Sequence, residues 1–258
     1  MSLITLISGE EKTGKTAFAL TFPKPLVDLE FDIGGFDRAK SRLKSEELQQ
    51  ITVIQYPSLL QTEFKSKAVI ESLMILGEKE RWQSVMKDFA AACRSKDVRT
   101  IVYDTWFQFY ELSRQAYLQT LQEAQLDEHG ILKKNEAKFR EALQQVEYTQ
   151  PYAKLRSVMF YAKGCGKNLV LVTYDADEYK RQIDDDGKMR DIKTGKKIPA
   201  GWKETEKHVD IAFWTDRTDT SCGARVTLPG TLPPEAVGTE IDNNYEALEN
   251  LLRFYKCL

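Results

Sequence analysis

Histidine is almost missing from this chain, two in 258 residues, and its four cysteines stand far apart with no C-x-x-C pair. Zinc centres draw on histidine and closely spaced cysteine, so the composition argues against one, and Cys93, Cys165, Cys222 and Cys257 read as reduced thiols. Long apolar runs are lacking too. Nowhere do about 18 apolar residues follow one another, the length a membrane-spanning helix needs. No basic segment precedes the short apolar run near the start, so the expectation is a soluble cytoplasmic protein with no membrane partner. Nor does charge of one sign dominate: Lys+Arg total 37 against Asp+Glu 39. No overall field draws the protein to nucleic acid, and any such contact must be local. Internal repeats and low-complexity segments are absent, and the length suits a single α/β domain spanning residues 1–258.

What the chain does contain is Gly9-Glu10-Glu11-Lys12-Thr13-Gly14-Lys15-Thr16, which reads G-x-x-x-x-G-K-[ST] directly after the apolar run Leu3-Ile4-Thr5-Leu6-Ile7. In a loop of this pattern consecutive backbone N–H groups turn inward around an anion, and the lysine ammonium reaches the terminal phosphates. The hydroxyl of Thr16 ligates Mg²⁺, and Ala17 follows as the last residue of the cradle. Residues 3 to 8 are predicted as a central parallel strand and Thr16 to Leu20 as the start of a helix, stopped by Pro23 and Pro25. ATP and Mg²⁺ are the expected cofactors.

Thr100-Ile101-Val102-Tyr103-Asp104 supplies the second signal: β-favouring residues that deliver an acid to a strand end. An aspartate there holds the metal together with the loop hydroxyl, here Thr16, because Mg²⁺ takes hard oxygen ligands and keeps several waters. The next residue is Thr105 rather than Glu, so the usual place for a water-activating glutamate is taken by another residue. Leu26-Val27-Asp28-Leu29-Glu30, a predicted strand followed by Gly34-Gly35, offers Glu30 near the same sheet edge, where parallel α/β sheets collect their ligands. Asp28, Asp32 and Asp37 read as solvated loop acids.

Ile51 to Tyr56 is a further strand, ended by Pro57. Trp82, Val85, Met86, Phe89, Ala90 and Cys93 make one apolar helix face, a core stripe. From Trp106 to about Gly164 the periodicity predicts helix, and the span of residues 106 to about 149 exceeds what a βα crossover needs; it is expected to be a helical insertion. Its second stripe is Phe139, Leu143 and Val146, and Pro151 marks the next helix start. Leu169 to Tyr174 is another predicted buried strand, and its end, Thr173, Tyr174 and Asp175, reads either as a sensor of the γ-phosphate or as a plain strand terminus. Residues 177 to 207 interleave lysines and arginines with Asp184-Asp185-Asp186, Tyr179 and Trp202, and the turn signals Asp186-Gly187 and Thr194-Gly195 suggest a hairpin or loop. Basic residues among aromatics can track a phosphate backbone and stack bases. His208 to Trp214 and Cys222 to Leu228 are predicted as an antiparallel pair at the sheet edge, before a closing helix around Tyr245, Leu248, Leu251, Leu252 and Tyr255.

Taken in order, G-E-E-K-T-G-K-T, V-D-L-E before Gly-Gly, T-I-V-Y-D-T, N-L-V-L-V-T, H-V-D-I-A-F and the final G-T-E-I-D-N-N-Y-E-A-L resemble the phage nucleotide-binding proteins of the RecA-like AAA class, which include Sak-type single-strand annealing ATPases. The resemblance implies a RecA-like P-loop core of mostly parallel sheet flanked by helices, with an antiparallel C-terminal edge. It implies a homo-oligomeric ring or filament with nucleotide between subunits, and the host cytoplasm as the site of action. It passes the catalytic role to Glu30 beside Lys15, and it places single-stranded DNA on the segment 177 to 207. A small-molecule or nucleotide kinase, or an ATP-gated binding protein with little turnover, also fits the loop.

Overall fold

The structure, a computed structural model, describes residues 2–59, 74–134, 136, 139–183, 188–217 and 221–258. Its elements run β1 (Ile4–Gly9), α1 (Lys15–Ala19), β2 (Leu26–Glu30), α2 (Gly35–Ala39), α3 (Ser45–Leu48), β3 (Ile51–Gln55), α4 (Glu78–Arg94), β4 (Thr100–Asp104), α5 (Trp106–Ala124), α6 (Thr149–Gly164), β5 (Asn168–Val172), β6 (Asp175–Ile183), β7 (Met189–Pro199), β8 (Ile211–Arg217), β9 (Cys222–Leu228), β10 (Glu240–Asp242) and α7 (Tyr245–Phe254). Eight strands form one sheet in the order β10-β9-β8-β1-β5-β4-β2-β3, parallel from β8 to β3, with β9 and β10 antiparallel.

Every residue of β1, β2, β4 and β5 is buried, as strands covered on both faces must be. The alternation along β1 divides two cores. Ile4 and Leu6 pack with Val85 and Phe89 of α4, Phe109 of α5 and Met159 of α6, whereas Leu3 and Ile7 pack with Phe18 of α1 and Leu248 and Leu252 of α7. Trp82 belongs to the first core, stacked on Phe109 with ring centres 5.0 Å apart, as its stripe predicted. Because the six strands from β8 to β3 are parallel, Gly9, Glu30, Asp104, Val172 and Arg217 all finish on one side of the sheet, at the strands' carboxyl ends.

Three expectations are corrected. Among the described residues from 106 to 148, the α-helix is confined to α5; those after it are irregular, apart from an isolated bridge between Leu126 and Leu132 and a short 3-10 turn at Gln145–Tyr148. The reason lies on α5, whose buried glutamines supply the backbone partners a helix would have supplied itself. Gln125 accepts from the Arg140 amide at 2.9 Å and Gln122 donates to the Arg140 carbonyl at 2.8 Å. Phe139 is buried by this clamp, while Val146 of the same supposed stripe is exposed. Helix α6 begins at Thr149, two residues ahead of Pro151.

The β8–β9 pair is antiparallel as predicted, but β8 sits inside the sheet beside β1, and β10 takes the edge. The third correction concerns residues 177 to 207. Strands β6 and β7 do form a two-stranded ribbon, but it ends at Pro199. Thr194-Gly195 lies inside β7, where the register jumps between Asp177 and Tyr179, and Thr194 Oγ1 donates to Glu178 at 2.7 Å. Asp184, Asp185, Asp186 and Gly187 lie outside the described residues. Trp202 is buried between Tyr152 and His208, so it is no base-stacking platform, whereas Tyr179 is exposed.

Candidate phosphate-binding site

β1 runs directly into the loop through Gly9, at φ 144°, where a methyl group would lie 2.4 Å from the Thr215 carbonyl of β8. Only glycine allows that approach. Thr13 Oγ1 lies 2.6 Å from Thr215 Oγ1, and Asn243 Nδ2 donates to the Thr13 and Gly14 carbonyls at 3.3 and 3.1 Å. The loop is therefore braced from β8 and from the residue pair ahead of α7, parts of the chain more than two hundred positions away.

Lys15 is buried, and its ammonium donates to the Gly9 carbonyl at 2.9 Å and to the Glu10 carbonyl. Burial holds its pKa below the ordinary lysine value, against the opposing pull of Asp104, Asp175, Glu11 and Asp32. Thr16 Oγ1 donates to Asp104 Oδ2 at 2.7 Å, joining residues 88 positions apart. A hydroxyl and a carboxylate at this separation form a hard-oxygen donor set that fits Mg²⁺, an ion held by one or two protein oxygens plus substrate phosphates. No group of three or more His, Cys, Asp or Glu suited to a metal occurs among the described residues.

Glu30 is the register neighbour of Asp104 on β2. It is fully buried: Oε1 accepts from the Phe36 amide and Oε2 from Gln55 Nε2, both at 2.7 Å. Gly35 lies over both carboxylates, so that a methyl group on it would meet Asp104 Oδ2 at 2.9 Å and Glu30 Oε1 at 3.2 Å. A cavity of about 540 Å³ adjoins the loop, lined by Lys15, Thr16, Asp32, Arg38, Asp104 and Tyr174 among others, with Glu11, Lys12, Gly14 and Ala17 also in its lining. Of the sequence-predicted residues, Glu11, Lys12, Gly14, Lys15, Thr16, Ala17 and Asp104 thus converge on the cavity, whereas Gly9, Glu10, Thr13 and Glu30 do not line it.

No protein-family model and no curated protein matches this chain. The geometry therefore carries the functional reading.

Asp32, Arg38 and Gln55 are site residues that sequence reasoning missed or dismissed. Tyr174 OH donates to Asp32 Oδ2 at 2.7 Å, and Arg38 Nη2 donates to the same oxygen at 3.2 Å. Tyr174 also faces Lys15, 5.6 Å from ring centre to ammonium. Asp28, expected in solvent, is fully buried, and neither carboxyl oxygen has a hydrogen-bond partner among the described residues. Burial, then Asp104 and Glu30, pushes its pKa well up. Asp104 is pushed up to about 6 by burial, with Asp32 and Glu30 adding to the shift and Thr16 and Lys15 opposing it.

A carboxyl whose pKa rises on folding favours the folded state while it is protonated and burdens it once ionised. Stability is therefore lost as pH rises from the ordinary aspartate range through about 6. We expect Asp104→Asn to melt higher than wild type at pH 8, by about 3–6 °C for a shift of this size in a chain of this length. The gain is expected to disappear as pH falls toward 4. Thermal melts across that range, without metal or nucleotide, check it; a gain that persists at low pH would assign the effect to packing instead of charge.

Proposed function

We propose that this protein is a Mg²⁺-dependent ATPase with a RecA-like core, acting on single-stranded DNA in phage recombination or annealing as a homo-oligomer. The observation that carries the ATPase reading is the 2.7 Å bond between Thr16 of the phosphate loop and Asp104 at the end of β4, at the floor of the cavity. Lys15 leaves its loop carbonyls for the β- and γ-phosphates. Thr16 and Asp104 hold the metal, which when bound neutralises charge on the phosphate oxygens. Glu30 orients the attacking water. Tyr174, tied to Asp32, stands where the terminal phosphate arrives, and Asp175, the next residue, begins the β6–β7 ribbon. The order of the signals along the chain supports the RecA-like assignment.

Support for DNA is narrower. In the ribbon Lys193 pairs with Asp177 at 2.8 Å, Lys197 with Asp175 at 2.7 Å, and Arg181 with Asp191 at 3.4 Å, so much of its positive charge is balanced internally. Tyr179, Ile183, Met189 and Ile192 remain exposed on it, and Tyr179 is the aromatic free to stack a base. Phosphate release is expected to rise when single-stranded DNA is added. Tyr179→Ala is expected to weaken DNA binding about tenfold, the usual cost of one lost stacking platform. Binding that neither depends on salt nor changes the rate would remove the DNA assignment and leave the ATPase standing.

A second reading, ATP-gated binding with little turnover, draws on one observation: Glu30 is enclosed behind Gly35 with both oxygens already bonded.

A further inference from the structure

The phosphate loop does not account for the whole cavity. Helix α2 starts at Gly35, against Asp104 and Glu30, and places Arg38 on Asp32 at the phosphate end. Its 3-10 continuation, Lys40–Arg42, then carries Arg42 to Gly14 of the phosphate loop. There Arg42 Nη1 lies 3.9 Å from Cys222 Sγ, and a methyl group on Gly14 would come within 2.9 Å of that same nitrogen. Cys222 is the cross-strand partner of Arg217, the last residue of β8. Two arginines from unrelated elements therefore border one end of the cavity, and both line it. Both side chains are exposed, and neither makes an ion pair with a described residue.

A nucleoside triphosphate has a direction. Thr16 and Asp104 fix the metal-bound end, and Ala17 closes the loop beneath the innermost phosphate. The part of the lining past Gly14, where Arg42 and Arg217 stand, is then left for the sugar and base. We propose that Arg42 and Arg217 form the nucleobase subsite, covering the flat faces of the base with guanidinium planes. Guanidinium suits this role because it is planar, weakly hydrated and attracted to an aromatic face, unlike a lysine ammonium. Arg38, beside Asp32, is the arginine placed for phosphate. The inference rests on the phosphate-loop reading above, and its test separates the two.

The full-length protein is titrated by calorimetry with Mg²⁺ and either ATP or inorganic tripolyphosphate, which carries the phosphate chain without a base. Arg42→Ala and Arg217→Ala are each expected to weaken ATP about tenfold. Tripolyphosphate affinity is expected to stay within about twofold of wild type. The Arg42→Lys/Arg217→Lys double variant keeps both charges and is expected to lose ATP affinity as the alanine variants do. Equal loss of both ligands, or recovery of ATP binding by lysine, would overturn the subsite and make these arginines phosphate contacts. Wild-type ATP affinity in the alanine variants overturns it as well, with the phosphate loop untouched. Failure of wild type to bind tripolyphosphate would instead remove the phosphate-loop reading, and the subsite with it.

Discussion

Lys15→Ala is expected to reduce ATP turnover by at least about two orders of magnitude, the scale on which removing one charge-stabilising group acts on a transition state. The ammonium is already buried, with its pKa lowered by that burial, and its bonds run to the Gly9 and Glu10 carbonyls of its own loop. A polyphosphate entering the cavity supplies a stronger, ionised acceptor for the same donor, and a charge-assisted bond is worth roughly twice a neutral one. Alanine removes that gain while leaving the brace from Thr215 and Asn243 in place, so the fold survives. Thermal melts provide the second readout. Wild type is expected to gain melting temperature with saturating Mg²⁺ and ATP, by linkage of binding to folding, and Lys15→Ala is expected to show little gain. Wild-type phosphate release together with a wild-type ATP-induced shift in Lys15→Ala would end the phosphate-loop assignment.

The parts of this site that were legible in sequence are those written in short, contiguous patterns. The loop Gly9 to Thr16 is one such pattern, and the strands Leu26–Glu30 and Thr100–Asp104 have the bounds their β-branched and apolar residues predict. Their mutual placement followed from a general property of parallel sheets, that ligands gather at the carboxyl ends. Asp28 was misjudged for a definite reason. Its neighbours Val27 and Leu29 show that β2 buries one face, but only the packing of Leu26, on the Asp28 side, with Phe18 of α1 and Ala39 of α2 shows that the other face is covered as well. Arg42 and Arg217 were invisible for a related reason, since their meeting depends on the path of α2 and on the β8–β9 register. The segment after α5 misled because apolar spacing alone could not reveal that Gln122 and Gln125 would take over its backbone bonds.

Glu30→Gln is expected to leave ATP binding intact and to slow turnover by about 10²–10⁴, the usual contribution of a positioned general base. The side chain is isosteric, and its surroundings can absorb the change: Gln55 can turn its amide to present oxygen where it now donates from Nε2. The protein should therefore fold and show the full ATP-induced thermal shift while releasing little phosphate. Its burial makes this a demanding assignment. Each Glu30 oxygen already accepts one bond, so a water must use a remaining lone pair, and it can reach one only if Gly35 moves off the two carboxylates. Asp32 needs no such movement, because it lines the cavity and differs from Glu30 in being held by Tyr174 and Arg38 at its open side. Asp32→Asn is accordingly expected to retain most turnover and to weaken the response to single-stranded DNA, since it loosens Tyr174 at the foot of the ribbon. The reverse pattern, with Glu30→Gln turning over normally and Asp32→Asn stalled, would move the base to Asp32. Glu30 would then be the buried support that orients Gly35 and Asp104, and the enclosed carboxylate would cease to argue for slow hydrolysis.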